Sequence, residues 1–124
     1  MNLKKYYMSL LSASSELTTL IGEKKILSAY PQEVTTFPLV IFEDMNSNDV
    51  AFSDNLPEGT SATVRIHIFS KTVKGYPKAE EIADVIRMLF RADYWAMVNN
   101  QETPDVEDNI KHRILDFKRE FYSL

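Results

Sequence analysis

The chain has no cysteine, three glycines and two histidines in 124 residues, and no apolar run close to the ~20 residues that cross a bilayer. Without cysteine there is no disulfide framework, no thiolate nucleophile and no thiol metal site, and the redox compartment is left unstated. Gly22, Gly59 and Gly75 are isolated from one another, which excludes a glycine-rich phosphate loop and a GxSxG nucleophile elbow. The first twelve residues lack the continuous apolar core of a signal peptide, so synthesis in the cytoplasm and no membrane partner are expected. Positive charge is also short. Fourteen Lys and Arg against eighteen Asp and Glu leave a net charge of −4, which disfavours a surface built to neutralise many phosphates.

What remains describes a packed domain. The sequence is 44% hydrophobic and 11% aromatic with five prolines, and it shows neither a repeat nor a low-complexity tract. A single domain spanning 1–124 is expected, and a chain of this size removes roughly two thirds of its unfolded surface from water.

The organising stretch is 61–90. Ala62, Val64, Ile66 and Ile68 alternate with Thr63, Arg65, His67 and Phe69, the period of two that defines a strand over 62–69. Ala79, Ile82, Ala83, Ile86, Leu89 and Phe90 then recur every three or four residues opposite Lys78, Glu81, Asp84 and Arg87. That is one apolar stripe on a helix predicted for 77–90, with Pro77 tolerated in its first turn.

Before this unit, Leu3, Tyr6, Tyr7, Leu10 and Leu11 have helical spacing. Ser14 or Ser15 can cap a second short helix carrying Leu17, Leu20 and Ile21, with Gly22 as its stop. The segment around 26–31 reads as a connector ended by Pro31. Leu39, Val40, Ile41 and Phe42 are apolar on both faces, as in a strand buried from both sides. Residues 44–60 are rich in turn formers around Val50, Ala51 and Phe52, and predict a protruding hairpin or arm whose Phe52 buries against a partner. After the helix, 94–98 reads as a short strand and 101–109 as an acidic loop. The last segment fits either element: Ile110, Ile114, Phe117 and Phe121 have helical spacing, and Arg113, Leu115, Phe117, Arg119 and Phe121 alternate.

No catalytic, metal or cofactor constellation emerges. His67 and His112 have no Cys, Asp or Glu at a recognised ligand or triad spacing, so both read as strand or surface residues. Glu43 with Asp44, and Glu80 with Glu81, are adjacent and project to different faces, which does not prepare a pair for acid and base work. Lys111, Arg113, Lys118 and Arg119, interleaved with Phe117, Phe121 and Tyr122, form the single basic aromatic patch. Such a patch can stack on bases, but Asp116 and Glu120 within it fit cross-strand ion pairs equally.

Several strings in this order resemble the tail-completion proteins of long-tailed phages and prophages, the tail-terminator and tail-to-head joining type. They are Leu20-Ile21-Gly22, Tyr30-Pro31-Gln32, Phe37-Pro38-Leu39-Val40-Ile41-Phe42, Val64-Arg65-Ile66-His67-Ile68-Phe69-Ser70, the helix with Ala79, Ile82, Ala83 and Ile86, and the alternating segment 111–122. The resemblance implies an α+β fold: a mostly antiparallel sheet packed against an N-terminal helical segment and one central amphipathic helix, with 110–121 a strand. It implies a non-enzymatic protein of the virion tail. Six subunits would form a ring on the tail tube protein, stop its growth and offer a joining surface to the head-tail connector protein, with DNA passing through the lumen without specific binding. Val50, Phe52 and Asp54 on the arm are the expected interface residues. A head-tail connector or neck subunit is the alternative, followed by a small cytoplasmic enzyme or nucleic-acid module.

Overall fold

A computed structural model describes residues 2–22, 24–53, 56–103 and 109–122, with 46–53 and 56–58 described by their backbone alone. Its elements run α1 (Leu3–Ser12), α2 (Ser15–Ile21), β1 (Ile26–Leu27), β2 (Leu39–Ser53), β3 (Leu56–Lys71), α3 (Ala79–Ala92), β4 (Ala96–Glu102) and β5 (Ile110–Tyr122). The five strands form one sheet in the order β1-β2-β3-β5-β4. Every pairing is antiparallel except the short parallel contact of β1 with β2. This is the α+β fold expected from the resemblance, and it resolves 110–121 as a strand.

Local chemistry accounts for the helices. The Asn2 side chain accepts a hydrogen bond from the Lys5 amide, and the Ser14 hydroxyl accepts one from Leu17, each supplying an acceptor that the first turn lacks. Gly22 ends α2 with φ 90°, a positive value that costs a residue without Cβ little. The helix predicted for 77–90 begins two residues later than its pattern indicated. The Ser70 hydroxyl donates to the Pro77 carbonyl at 2.6 Å, and Lys78 stays extended as the N-cap. Glu80 and Glu81 in the first turn and Arg91 in the last complement the helix dipole.

The strand predicted for 94–98 is also displaced, to Ala96–Glu102. Tyr94 adopts φ 67° in the turn that leaves α3, and the Trp95 amide donates to the Phe90 carbonyl at 2.9 Å, so both residues finish the helix before any strand begins. Trp95 is thereby turned into the core, 4% exposed, while Tyr94 is 82% exposed.

The two faces of the sheet are buried differently. One carries Val40, Phe42, Ala62, Val64, Ile66, Ile68, Leu115 and Phe117 beneath all three helices, which contribute Leu3, Tyr7, Leu11, Leu17, Ile21, Ile82, Ile86 and Phe90. Phe117 stacks on Phe90 at 4.4 Å between ring centres, and Trp95 meets Tyr7, Phe90 and Phe121 edge-on. The other face has a small cluster of Leu39, Ile41 and Phe69, packed by Leu27, Val34, Phe37 and Ile110. The double-sided burial expected for the strand at 39–42 arises from these two clusters.

Candidate functional site

The face opposite the helices holds most of the polar chemistry, in two tiers. Glu43, Arg65, Asp116 and Asn99 occupy one cross-strand row. Arg65 Nε and Nη2 donate to the two Asp116 oxygens at 2.9 and 3.2 Å, and Asn99 donates to Oδ2 at 3.1 Å. Burial by itself would raise the Asp116 carboxyl, but the bonds from Arg65 and Asn99 outweigh it and hold the group below the usual carboxylate range. The same fork raises the Arg65 guanidinium.

The second tier is a diagonal across three strands. His67 Nε2 bonds Glu43, and His67 Nδ1 lies 2.9 Å from His112 Nε2. The carboxylate can only accept, so His67 Nε2 donates to Glu43, and the contact between the two rings is a single hydrogen bond shared by His67 Nδ1 and His112 Nε2. The His112 ring stacks on Phe69 at 4.1 Å, and Tyr30 stands edge-on to both His67 and Phe69. Burial, followed by the neighbouring His67, lowers the His112 pKa to about 4. Such a chain resembles a base and its orienting acid. Among the described residues, however, no Ser, Thr or Tyr hydroxyl is bonded to either ring, and no group of three His, Cys, Asp or Glu is placed to hold a metal ion. The network ties β2, β3 and β5 together.

The basic aromatic patch of the last strand divides in the same way. Arg119 Nη1 donates to Tyr6 Oη at 3.0 Å, to the Asp93 carbonyl at 2.7 Å and to Asp93 Oδ2 at 3.2 Å, and its guanidinium lies 4.3 Å from the Phe121 ring. Tyr6 and the Trp95 indole also donate to Asp93. Arg113 meets Asn100 and Glu80, and Lys111 meets Glu102. Arg113, Arg119 and Lys111 therefore have partners within the chain, Arg113 and Arg119 with acids of α3 and its C-cap and Lys111 with Glu102 across the β4–β5 pair, and do not form a bare nucleic-acid footprint.

The edges of the sheet are less occupied. β4 is the outermost strand on one side, and beyond Ile41 the outer edge of β2 has no strand beside it among the described residues. Each of these strands has a register shift in the ladder with its inner neighbour, at Asp44/Asn46 in β2 against β3 and at Met97/Asn99 in β4 against β5. Bulges bend and twist a strand locally, and they also disturb its pairing edge. The β2–β3 ladder runs on past the last β3–β5 pair, Gly59 with Tyr122, to Phe52 with Pro57 and Ser53 with Leu56. At the base of this extension a Cβ on Gly59 would lie 2.6 Å from the Phe121 carbonyl and 2.8 Å from the Tyr122 ring, so only glycine fits there. Of the predicted interface residues, Val50 and Phe52 lie on the backbone of this extension, opposite Gly59 and Pro57, and Asp54 falls outside the described residues.

A groove of ≈ 560 Å³ lies between α3 and β4, lined by Asp84, Arg87, Met88, Arg91, Trp95 and Met97 over Phe117. Met88 is 68% exposed and Met97 37%. Sequence reasoning missed this groove and the histidine diagonal. Met88 falls off the apolar stripe of α3, and the diagonal requires the register of three strands, which no spacing along the chain encodes.

The sequence profile of the tail completion protein gp17 family matches residues 8–119. No curated protein matches the chain. Among solved structures, a chain from the virion of a native gene transfer agent particle shares the fold with a TM-score of 0.67 at 13% identity, covering 98% of this chain and 95% of that one. With the profile spanning α1 to β5, the chain belongs to the tail completion protein gp17 family and is a structural protein of the phage virion tail.

Proposed function

We propose that the protein caps the tail tube as a ring, terminates tail growth and provides the surface to which the head joins. The observation that carries this reading is the pair of sparsely occupied edges at opposite ends of one sheet, β4 on one side and β2 on the other. A subunit with two different joining edges makes heterologous contacts, and heterologous contacts close into rings when the rotation permits. Six copies are expected, in contact with the tail tube protein below and the head-tail connector protein above. The role is one of assembly, not catalysis.

Val50, Phe52 and Asp54, on the arm over 44–60, are the proposed interface residues. The ladder reaching Ser53 and Leu56 supports an arm that extends past β5. The net charge of −4 suits a lumen through which DNA slides without specific binding. A membrane plays no part in this reading; among the described residues no helix is long and apolar enough to cross one.

The test is electron microscopy of particles produced with the gene disrupted. Overlong or irregular tails beside free heads are the expected result. Tails of normal length that never join heads would remove the termination role and leave a connector subunit. Intact infectious particles would overturn the proposal altogether. For the arm, Phe52→Ser is expected to lower incorporation into tails, and unchanged incorporation would remove Phe52 from the interface.

A further inference from the structure

The two outer strands depart from the inner ones at the same place. One cross-strand row runs Glu43-Arg65-Asp116-Asn99 from β2 to β4, and a later one runs Asn46-Thr63-Lys118-Ala96. Between these rows β3 and β5 each place a single residue, Val64 and Phe117, whereas β2 places Asp44 and Met45 and β4 places Met97 and Val98. Met45 and Val98 are the residues that the ladders pass over, and both are exposed. A strand edge with an extra residue fits poorly against a regular strand, which guards it against indiscriminate pairing. It fits an edge that carries the same extra residue over the same rows, and β2 and β4 are such a pair.

Direction and charge agree with that match. Each step from β2 through β3 and β5 to β4 is antiparallel, so β2 and β4 run in opposite directions. Rotation about an axis along the strands leaves their directions unchanged, so β4 of one copy meets β2 of the next as an antiparallel pair. Asp44 is exposed and pairs with Val64, which places it on the helix-covered face at the β2 edge. Met97 pairs with Phe117 on that same face at the β4 edge, beside Arg87 and Arg91 of α3. Arg87 has only a loose contact of 3.8 Å with Asp84, and Arg91 makes no ion pair among the described residues. Uncommitted guanidinium groups recognise carboxylates.

From these matched edges we infer that β4 of one copy pairs antiparallel with the open edge of β2 in a second copy, with Glu43 opposite Asn99 and Asn46 opposite Ala96. Asp44 then lies diagonal to Met97 and within reach of Arg91, and Met45 and Val98 adjoin at the seam. Main-chain bonds hold the joint, and the equal residue count of the two edges sets its register. The joint rests on the ring reading and names the strands that make it: each copy offers β2 to one neighbour and β4 to the other, and one sheet continues from copy to copy.

The chain has no cysteine, so introduced pairs report without background. In virions carrying Met45→Cys with Val98→Cys, a short bismaleimide is expected to give a ladder of covalent multiples of this protein. Monomer alone, with the subunit present in the particle, overturns the pairing, and so does a product joined to a different tail protein. A charge exchange tests the same joint independently. Asp44→Lys or Arg91→Glu alone is expected to lower the amount of this subunit in tails at least ~10-fold, and the two together to restore most of it, because like charges facing one another oppose assembly. Both positions are exposed, so the purified variants are expected to melt like the parent. No restoration by subunits that fold overturns the inference. Cryo-electron microscopy of the same tails separates the two levels: a ring whose copies touch through other surfaces sinks only the strand pairing, and tails ending without a ring sink the ring reading with it.

Discussion

The two faces of the sheet are organised by different forces. Beneath the helices, aliphatic and aromatic side chains interdigitate, and stability there scales with apolar area removed from water. On the opposite face a smaller apolar cluster continues into ion pairs and imidazoles whose value depends on direction, partner and protonation. The first face holds the fold together, and the second fixes how the strands align within it. Strand alignment in turn places both outer edges of the sheet and the β2–β3 extension.

That contrast is most directly broken by truncating one aromatic on each face. Phe117→Ala removes the ring stacked on Phe90 and is expected to cost about 4 kcal/mol in urea unfolding, whereas Phe69→Ala is expected to cost about half as much. Phe117 is 1% exposed at the centre of the larger cluster, and Phe69 is 7% exposed in the smaller one. Equal losses would mean that the polar-side cluster is as central to the fold as the helix-covered one.

A smaller effect sharpens the polar side. Asp116→Ala removes the acceptor for Arg65 and Asn99 and is expected to cost about 2 kcal/mol, since hydrogen bonds to charged groups exceed neutral ones. Arg65→Ala in the same background should add little, and a double-mutant cycle in thermal unfolding measures the coupling.

Acidification separates the faces by protonation alone. His112 in the folded protein titrates near 4 instead of 6.5, so the unfolded chain binds the extra proton first. The stability contributed by keeping this ring neutral is complete above pH 6.5 and is lost as the pH falls from 6.5 towards 4. Melting temperature is expected to fall across that window, and His112→Gln should flatten the His112 part of the fall. A profile unchanged by the substitution would place the acid sensitivity elsewhere.

The smallest expected effect lies on the apolar face. The Tyr7 hydroxyl is buried without a hydrogen-bond partner, and burial, with Asp44 and Tyr6 nearby, raises its pKa. Removing an unsatisfied buried hydroxyl relieves its desolvation cost, so Tyr7→Phe is expected to leave stability unchanged or raise it by up to about 1 kcal/mol. A clear loss in calorimetry would show that the hydroxyl has a partner worth keeping.

Much of the fold was legible because it is written in local periods. Ala62, Val64, Ile66 and Ile68 announce a strand buried on one face, and Ile82, Ala83, Ile86 and Phe90 announce the helix that covers it. Ser14 and Gly22 mark the limits of α2 by capping chemistry and backbone freedom. Boundaries were less legible where tertiary contacts set them: Ser70 holds Pro77 outside α3, and the turn at Tyr94 and Trp95 delays β4. The last strand was ambiguous because Phe117 and Phe121 satisfy both periods. Only the ladder with β3, Val64 against Phe117 and Thr60 against Phe121, selects between them.

The sequence by itself determined the class of the molecule: a packed α+β chain without thiol chemistry, with a central strand and helix and an acidic, turn-rich stretch. Those properties follow from side-chain type and short-range spacing, which the chain carries wherever it goes. Tertiary structure alone decided that Glu43, His67 and His112 form one diagonal, that Arg65 faces Asp116, that Arg119 turns inward to Asp93, and that Met88 and Met97 meet across a groove. These contacts join residues far apart in the chain through strand register and helix packing, and register is a property of paired strands that no single strand encodes.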